Sequence, residues 1–467
     1  MKIDHLVLGK VGCFDHLEMT FPAGRDPNKA DIHLIVGPNG SGKSTILMAL
    51  AQFFSMPSTG LYERCHGRDS FALLRLDDDL EAGFALHRPG EPNWPGEPNS
   101  STPWDYSPSK PSRPLIFSGG SEELAFYQIQ DKSFILDLSH YRNLTQSFKP
   151  FSPKYKDTHF SHLAFAYGGQ RSVENFRLKG IVEQEDAPLM YACLSPKPAN
   201  RNETQPLVQW VANTSAKAAF ASERQDESSH RRYRDVIGRM EQIISGITGR
   251  KFAFVLSYDP INVNVSLDGE ELPIDVLPDG LKSLISWIGD LLMRMDRVPW
   301  IDDTPLLERE FTLFLDEIEV HLHPAWQRKI LPVVQNLFPS AQVFVSTHSP
   351  FVIASADDAW IHPLHLDEKG RGQVGEPLPS MVGNSYATVL RDVLGVEAEF
   401  APQVDEALKE FYALRDKALR GEPGALDQLR TKGNALQGFG EEVLAIVRPE
   451  ISQVERRLRR HVMEGVE

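Results

Sequence analysis

Residues 31–50 read DIHLIVGPNGSGKSTILMAL, in which an apolar strand pattern is followed by a glycine-rich loop and a run of helix formers. The loop matches G-x-x-x-x-G-K-[ST] in the strand–loop–helix setting that this motif requires. Backbone N–H groups of such a loop face phosphate oxygens, and the positive end of the helix dipole adds to the attraction. We expect Lys43 to reach the β- and γ-phosphates and the Ser44 hydroxyl to hold Mg²⁺. The candidate nucleotide-binding residues are Gly37, Pro38, Asn39, Gly40, Ser41, Gly42, Lys43, Ser44 and Thr45.

A second strand pattern ends in two acidic residues. Residues 311–319 read FTLFLDEIE, so that five largely apolar residues precede Asp316 and Glu317. Beside a phosphate loop, Asp316 is suited to bind Mg²⁺, directly or through water, and Glu317 to polarise the attacking water as a general base. A pair of acids that caps the next helix is the alternative interpretation, and the presence of the phosphate loop disfavours it.

Two further strand patterns end in polar residues that could reach the same place. Residues 342–345 lead through two hydroxyl residues to His348, whose imidazole would then lie near a γ-phosphate. Residues 163–167 lead through two glycines to Gln170. A glutamine just past a strand end can reach a nucleotide, but a plain strand-to-turn transition fits this pattern equally well.

Composition indicates a globular protein of a reducing compartment. The formal net charge of −15 argues against a nonspecific coat on nucleic acid, although a local basic face is compatible with it. Cys13, Cys65 and Cys193 form no C-x-x-C pair and indicate free thiols. The N-terminus lacks a signal-peptide layout and no apolar run is long enough to cross a bilayer. We therefore expect a cytoplasmic location and no membrane partner.

The chain divides into a head and a helical region. Residues 1–365 are assigned to an α/β head that begins with an antiparallel β lobe. A Pro-rich surface loop at residues 88–114 interrupts this lobe, because its composition forbids a packed element. A helical insertion is expected at about residues 205–247, and residues 366–467 are assigned to a helical C-terminal region. Coupling or oligomerisation is one use for that region, and a solvated helical cap is the other.

Two smaller patterns belong to the head. Residues 252–256 and 263–267 predict a hairpin with a turn at Asp268-Gly269. The helical insertion carries Arg231 and Arg232 among charges of both signs. The simplest interpretation of that pattern is a solvated helical face, and a face that binds phosphate or an acidic partner is the alternative.

In chain order, these motifs resemble the ABC-class ATPases of the SMC, RecF and OLD (overcoming lysogenisation defect) type. The phosphate loop corresponds to Walker A, residues 313–316 to Walker B, and Glu317 to the catalytic glutamate. Residues 277–283, LPDGLKS, replace the usual LSGGQ signature. Residues 316–324, DEIEVHLHP, and the switch at His348 are typical of the OLD-like branch. The resemblance covers roughly residues 1–365.

This resemblance implies ATP and Mg²⁺ as ligands and a site that two copies complete. Walker A and Walker B of one subunit would face the signature residues Asp279, Gly280 and Lys282 of another, with ATP between them. A homodimer or a ring of dimers, possibly a hexamer, is implied. In two places the sequence departs from the family pattern, since Pro278-Asp279 stands where the signature serine is usual and Gln170 matches the Q-loop glutamine imperfectly.

Within this class the sequence is most similar to the ATPase subunits of the PARIS anti-phage system, the AriA family. Those subunits form a homo-oligomeric sensor and scaffold. They hold a separate Toprim nuclease, AriB, and release it when a phage protein that mimics DNA is detected. After His348 the sequence predicts helices, and no Asp-x-Asp follows a strand, so we expect a Toprim nuclease to be a separate protein. The resemblance therefore implies a nuclease partner and a phage trigger protein here. Arginines of residues 224–239, with Arg171 and Arg177, are the candidate contacts for an acidic trigger.

Other functions stay open. A RecF-like repair ATPase would bind duplex ends or gaps in a salt-sensitive way, which the net acidity disfavours without excluding direct DNA binding. The ATPase of a Septu-type pair would work with an HNH nuclease. An ABC transporter subunit fits poorly with the altered signature.

Overall fold

A computed structural model places the strand before the phosphate loop in the middle of a parallel sheet. The residues that the structure describes are 2–53, 61, 64–66, 70–76, 81–85, 115–119, 126–128, 162–169, 178, 180–182, 205–298, 300–380, 383, 385–396 and 400–464. The chain forms two compact units, Met1–Val389 and Leu390–Glu467.

Strands and helices are numbered in chain order among the described residues. The strands are β1 (Ile3–Val11), β2 (Phe14–Thr20), β3 (Asp31–Val36), β4 (Phe71–Leu76), β5 (Glu81–Ala85), β6 (Leu115–Gly119), β7 (Phe126–Gln128), β8 (Leu163–Tyr167), β9 (Phe252–Tyr258), β10 (Ile261–Leu267), β11 (Glu270–Pro273), β12 (Phe311–Leu315), β13 (Gln342–Thr347), β14 (Ala359–Leu366), β15 (Gly372–Val374) and β16 (Leu378–Pro379). The α-helices are α1 (Lys43–Phe53), α2 (Gln205–Glu223), α3 (Glu227–Thr248), α4 (Asp279–Leu284), α5 (Asp290–Arg297), α6 (Pro324–Leu337), α7 (Pro350–Ser355), α8 (Tyr386–Asp392), α9 (Pro402–Leu419), α10 (Ala425–Leu436) and α11 (Glu441–Glu464).

The main sheet has five parallel strands in the order β14, β3, β13, β12 and β8, and β15 and β16 add to β14 in the antiparallel sense. All residues of β3, β8, β12 and β13 are buried. Strands that are covered on both faces need continuous apolar runs, which explains why these segments read as such in the sequence. The α/β fold class predicted from the sequence is therefore confirmed.

The second sheet is the β lobe, with the order β2-β1-β4-β5-β6-β7. Its neighbours are antiparallel except β5 and β6, which pair in parallel. The expectation of an all-antiparallel lobe is wrong at this pair. Parallel neighbours need a crossover connection instead of a tight turn, and the long stretch between β5 and β6 supplies the chain length for one. The Pro-rich residues 88–114, within that stretch, lie outside the described residues.

The third sheet is formed by β9, β10 and β11, which are antiparallel neighbours. Asp259-Pro260 joins β9 to β10 through a cis peptide bond. The predicted turn at Asp268-Gly269 instead joins β10 to β11, with both residues at positive φ. The predicted turn is therefore real but lies at the other end of β10, because the third strand is short and polar and was not predicted.

The helical insertion consists of α2 and α3. Asp226 caps α3 by accepting a hydrogen bond from the Ser229 N–H at 3.1 Å, and Gly249 ends it in the left-handed conformation. One apolar stripe of α3 is buried, at Ile237, Met240, Ile243, Ile244 and Ile247. The 3.6-residue spacing of that stripe is what the sequence pattern predicted.

Residues 366–379 are not helical, contrary to the assignment made from the sequence. The end of β14, with β15 and β16, pairs along the edge of the main sheet, and the Gly372 N–H also donates to the Cys13 carbonyl at 2.8 Å. Short polar strands of this kind carry little periodic signal. The helices of the second unit share a core that includes Leu408, Phe411, Leu429 and Val447. Within the described part of the chain, no helix combines the length and apolar character needed to cross a membrane.

Three buried histidines make the stability of the head depend on pH. Burial lowers the pKa of His33 and of His162 to about 3, and that of His362 well below its ordinary value. The unfolded chain takes up these protons below about pH 6.5, whereas the folded chain does not. The contribution of these histidines to the free energy of unfolding is therefore complete above pH 6.5 and is lost as the pH falls towards 3. We expect His33 and His162 each to lower the free energy of unfolding by about 2 kcal/mol between pH 7.5 and pH 5.

Urea unfolding at several pH values measures this dependence. His162→Gln removes one of the three groups and should flatten the slope. The matched exchange His16→Gln changes an exposed histidine and should leave the slope as it is. Equal slopes for all three proteins would contradict the assignment.

Candidate functional site

Parallel register brings the carboxyl ends of four strands together. Thr347 lies opposite Val36, and Leu315 lies opposite both Val345 and Tyr167. The residues that follow β3, β12, β13 and β8 therefore leave the sheet at one edge. In open α/β sheets, ligands bind at the carboxyl ends of the strands.

The phosphate loop connects β3 to α1 at this edge. Gly37, Gly40 and Gly42 have positive φ, and Gly42, at 96°, is also in contact with the Phe14 ring, so that a Cβ there would overlap the ring. Only glycine fits that position. Residues 38–40 are exposed, which leaves this part of the loop open to a ligand.

The Lys43 ammonium lies inside the loop. It donates to the carbonyl oxygens of Gly37 at 2.8 Å and Pro38 at 3.0 Å. Burial lowers the pKa of Lys43, and the carboxylates of Glu317, Glu319 and Asp316 oppose this shift. The lysine is therefore within electrostatic reach of the acidic residues that follow β12, at the edge where a bound phosphate would also lie.

Asp316 lies between two hydroxyl groups. The Ser44 Oγ donates to its Oδ1 at 3.1 Å, and the Ser346 Oγ makes a short hydrogen bond to the same oxygen. A hydroxyl and a carboxylate that converge in this way are hard oxygen donors of the type that Mg²⁺ prefers. No cluster of three His, Cys, Asp or Glu side chains suited to a metal occurs among the residues described. The pair fits a Mg²⁺ that takes its other ligands from phosphate and water.

Glu317 follows directly, in a left-handed conformation with φ of 47°. Its N–H donates to the Ser346 Oγ at 2.8 Å. Its carboxylate lies against Gly169, where a Cβ would come within 2.7 Å of Oε2. A non-glycine residue with positive φ is strained and frequently functional. The geometry holds this carboxylate at the edge where Lys43 and Asp316 also lie.

His348 is held by a residue that the sequence analysis missed. The Glu319 Oε1 accepts the backbone N–H of His348 at 2.7 Å and lies 3.0 Å from its Nδ1. The Glu319 side chain is 5% exposed and that of His348 is 53% exposed. Glu319 was overlooked because sequence spacing does not show which side chain a strand-end acid will contact.

Arg64 is a second residue that the sequence analysis missed. Its Nη1 donates to the Thr45 Oγ1 at 2.6 Å, at the start of α1. This places a guanidinium beside the phosphate loop. Arg64 lies outside any periodic pattern, so no sequence signal could have found it.

The signature residues lie elsewhere in the chain. Asp279, Gly280 and Lys282 open α4, where Gly280 packs so closely on the His321 carbonyl that a Cβ would lie 2.5 Å from its oxygen. The Lys282 Nζ is 3.8 Å from Asp279. Among the described residues, no hydrogen bond or ion pair joins these three to the phosphate loop. Gln170 lies outside the described residues.

Two family profiles match the chain. One, described as "AAA domain, putative AbiEii toxin, Type IV TA system", matches residues 196–354, and another, described as "AAA domain", matches residues 1–84. The first match contains Asp316, Glu317 and His348, and the second contains the phosphate loop.

Curated relatives are similar over different lengths. Septu protein PtuA of Bacillus thuringiensis is 24% identical over 89% of this chain and 90% of that protein. Retron Vc95 probable ATPase of Vibrio cholerae is 31% identical over 34% of this chain and 29% of that protein. Retron Ec83 probable ATPase of Escherichia coli is 30% identical over 25% of this chain and 21% of that protein. The chain thus spans most of PtuA but less than a third of each retron protein.

Among solved structures, the SMC head domain from Thermotoga maritima is similar to this chain with a TM-score of 0.38. The two are 14% identical, and the match covers 82% of this chain and all of that chain. An Smc head domain from Pyrococcus furiosus has a TM-score of 0.39 and 14% identity over 81% of this chain and 96% of that one. In this protein, the parallel sheet, with the phosphate loop after β3 and the acidic pair after β12, defines an α/β P-loop fold. The chain is an ATPase, with family profiles, relatives and site geometry in agreement.

Proposed function

We propose that this chain is the ATPase subunit of an anti-phage defence system and acts with a separate nuclease. The observation that carries the proposal is the match to Septu protein PtuA, which extends over nearly the full length of both chains. A match of that extent reaches beyond the motifs that all such ATPases share, into the helical insertion and at least part of the second unit.

Two kinds of nuclease partner are compatible with this role. The PtuA match favours the HNH nuclease of a Septu-type pair. The Toprim nuclease of a PARIS-type system is the other candidate. The described part of the second unit is helical, from Pro402 to Glu464, and presents no strand edge on which a nuclease carboxylate cluster could lie.

In the proposed reaction, ATP binds the phosphate loop with Mg²⁺ held by Ser44 and Asp316. The ion would neutralise charge on the β- and γ-phosphates. Glu317 acts as the general base for the attacking water, and His348 contacts the γ-phosphate. Asp279, Gly280 and Lys282 of a second copy close the site, so that ATP links two subunits and hydrolysis releases them.

Purification of the chain from its native operon tests the role. We expect a nuclease encoded beside it to co-purify, and Toprim or HNH sequence motifs in that protein to identify the class. Recovery of the chain with DNA alone, in a complex that dissociates steeply with salt, would instead support a RecF-like repair ATPase.

The helical insertion offers a surface for an acidic partner. Two adjoining cavities of about 600 and 610 Å³ share Arg232, Val236 and Asp296. We call their joint surface the insertion groove. Lys217 and Arg297 line one side, and the other side is lined by cations that include Arg231 and Arg239.

Exposed apolar side chains complete the insertion groove. Ile181, Val182 and Phe220 line it and are 43%, 50% and 60% exposed. Five cations face three carboxylates in the groove of a chain whose formal net charge is −15. Apolar contacts surrounded by arginines suit a protein that carries an apolar anchor among carboxylates. We assign this groove to the phage trigger, proposed to be an acidic, DNA-mimicking protein.

Charge reversal tests the assignment. Arg231→Glu with Arg232→Glu should abolish the response to an infecting phage, because removing cations from a charged interface costs several kcal/mol. ATP turnover by the isolated chain should stay within about twofold of the wild-type rate. Arg224 is among the arginines predicted from the sequence to contact the trigger, but it lies on the same hairpin outside the groove. Arg224→Glu is therefore the matched control and should keep the phage response. A double mutant that still responds to phage would show that the insertion groove does not bind the trigger.

A further inference from the structure

We propose that Glu319 is a positioning residue that fixes the orientation of His348 for contact with the γ-phosphate of ATP. The inference rests on the proposed placement of the γ-phosphate beside His348. It does not depend on the defence role or on the identity of the nuclease.

Two contacts hold the histidine from one carboxylate oxygen. The Glu319 Oε1 accepts the His348 N–H at 2.7 Å and lies 3.0 Å from Nδ1 of the ring. Backbone and ring are thereby fixed together. Because a carboxylate oxygen accepts, Nδ1 is the donor in this contact and Nε2 is the ring nitrogen that is left for a ligand. A carboxylate behind an imidazole fixes its tautomer and ring orientation in many sites.

The position of the histidine suits this use. Thr347 is in register with Val36, so His348 leaves the sheet beside Gly37, the first residue of the phosphate loop. Glu319 is close enough to Lys43 for its charge to oppose the fall of the lysine pKa. The Glu319–His348 pair therefore lies at the same edge of the sheet as the phosphate loop.

Glu319 is not needed to form its own turn. Backbone bonds form that turn, from the Val320 N–H to the Glu317 carbonyl at 3.1 Å and from the Leu322 N–H to the Glu319 carbonyl at 2.9 Å. The side chain is nevertheless 5% exposed, and its Oε2 is buried without a hydrogen-bond partner among the described residues. A buried carboxylate with an unsatisfied oxygen is destabilising. The contact with His348 is the interaction in the structure that explains its presence.

The same turn also contacts the signature helix. Gly280 packs on the His321 carbonyl, and the Gln327 Nε2 donates to the Leu322 carbonyl at 2.8 Å while its Oε1 accepts from the Ser349 Oγ at 2.6 Å. Residues 319–327 thus connect the start of α4 to His348 and to Ser349, the residue that follows it. A signature helix that engages a neighbour's ATP would therefore be in contact with the turn that holds His348.

A double-mutant cycle on ATP turnover by the isolated chain tests the proposal. Glu319→Ala should lower kcat about 10- to 100-fold, the range found when partners behind a ligating histidine are removed. In a His348→Ala background the same change should have less than a twofold effect, because a residue that acts through the histidine has nothing left to position. Glu308→Ala, at an exposed acid, is the control and should leave kcat unchanged.

A second readout separates positioning from simple loss of stability. Glu319→Ala should weaken binding of a nonhydrolysable ATP analogue several-fold and leave ADP affinity unchanged, since ADP lacks the γ-phosphate. Glu319→Gln, which keeps an oxygen for both contacts, should recover part of kcat and serves as the folded variant if Glu319→Ala does not fold. Equal losses of kcat in the wild-type and His348→Ala backgrounds, or equal losses of analogue and ADP affinity, would overturn the proposal. A His348→Ala variant with full activity would overturn it together with the placement of the γ-phosphate, while leaving the ATPase assignment intact.

Discussion

Lys43→Ala should lower kcat/KM for ATP by about 100- to 1,000-fold, the loss seen when one preorganised donor to developing charge is removed. The ammonium lies inside the phosphate loop, on the carbonyl oxygens of Gly37 and Pro38. No other lysine or arginine of the described residues makes these contacts. Fluorescent ATP binding and phosphate release measure the loss, and we expect binding itself to weaken because the β- and γ-phosphates lose their cation.

A matched lysine separates this effect from a change in net charge. Lys251→Ala removes an exposed ammonium from the start of β9 and should leave both assays unchanged. Lys43→Arg tests geometry, because a planar guanidinium does not replace a compact ammonium inside a tight loop. ATP bound by Lys43→Ala as tightly as by the wild type would place the nucleotide elsewhere.

Glu317→Gln should lower kcat about 100- to 10,000-fold while ATP still binds, since a general base contributes in that range and the amide keeps the shape of the side chain. The carboxylate is fixed by the left-handed backbone of Glu317, by the bond from its N–H to Ser346 and by the close approach of Gly169. The variant should collect in an ATP-bound assembly, which size-exclusion chromatography with light scattering would detect.

The ADP-bound and nucleotide-free forms are the references for that assembly. We expect Glu317→Gln to form larger particles with ATP than with ADP, and Glu308→Gln to behave like the wild type. Turnover by Glu317→Gln at the wild-type rate would show that another group activates the water.

Much of the fold followed from local patterns. The residues of β3 and β12 are continuous apolar runs, and α3 carries a clear stripe, so their type and approximate bounds could be predicted. The polar strands at residues 372–379 and 270–273 lack such a signal, and both were missed. The pairing of strands could be predicted less well than their positions. The parallel contact of β5 with β6, for example, depends on a crossover that no local pattern encodes.

The candidate site divides in the same way. Lys43, Asp316 and Glu317 lie in short motifs whose spacing reflects one loop or one strand end, and the structure brings these together. Glu319 and Arg64 make their contacts with residues from other segments, His348 and Thr45. Contacts of that kind are set by strand register and packing, and a single sequence does not show them. Of the signature residues, Gly280 packs on the His321 carbonyl within the chain, and the role proposed for these residues towards ATP requires a second copy.

A structure of the protein with Mg²⁺ and a nonhydrolysable ATP analogue tests the central claim most directly. We predict two copies around each nucleotide, with Lys43, Asp316 and His348 of one copy on the phosphates and the Gly280 turn of the other closing the site. A nucleotide remote from Asp316 and His348, or one that is fully enclosed by a single copy, would contradict the account.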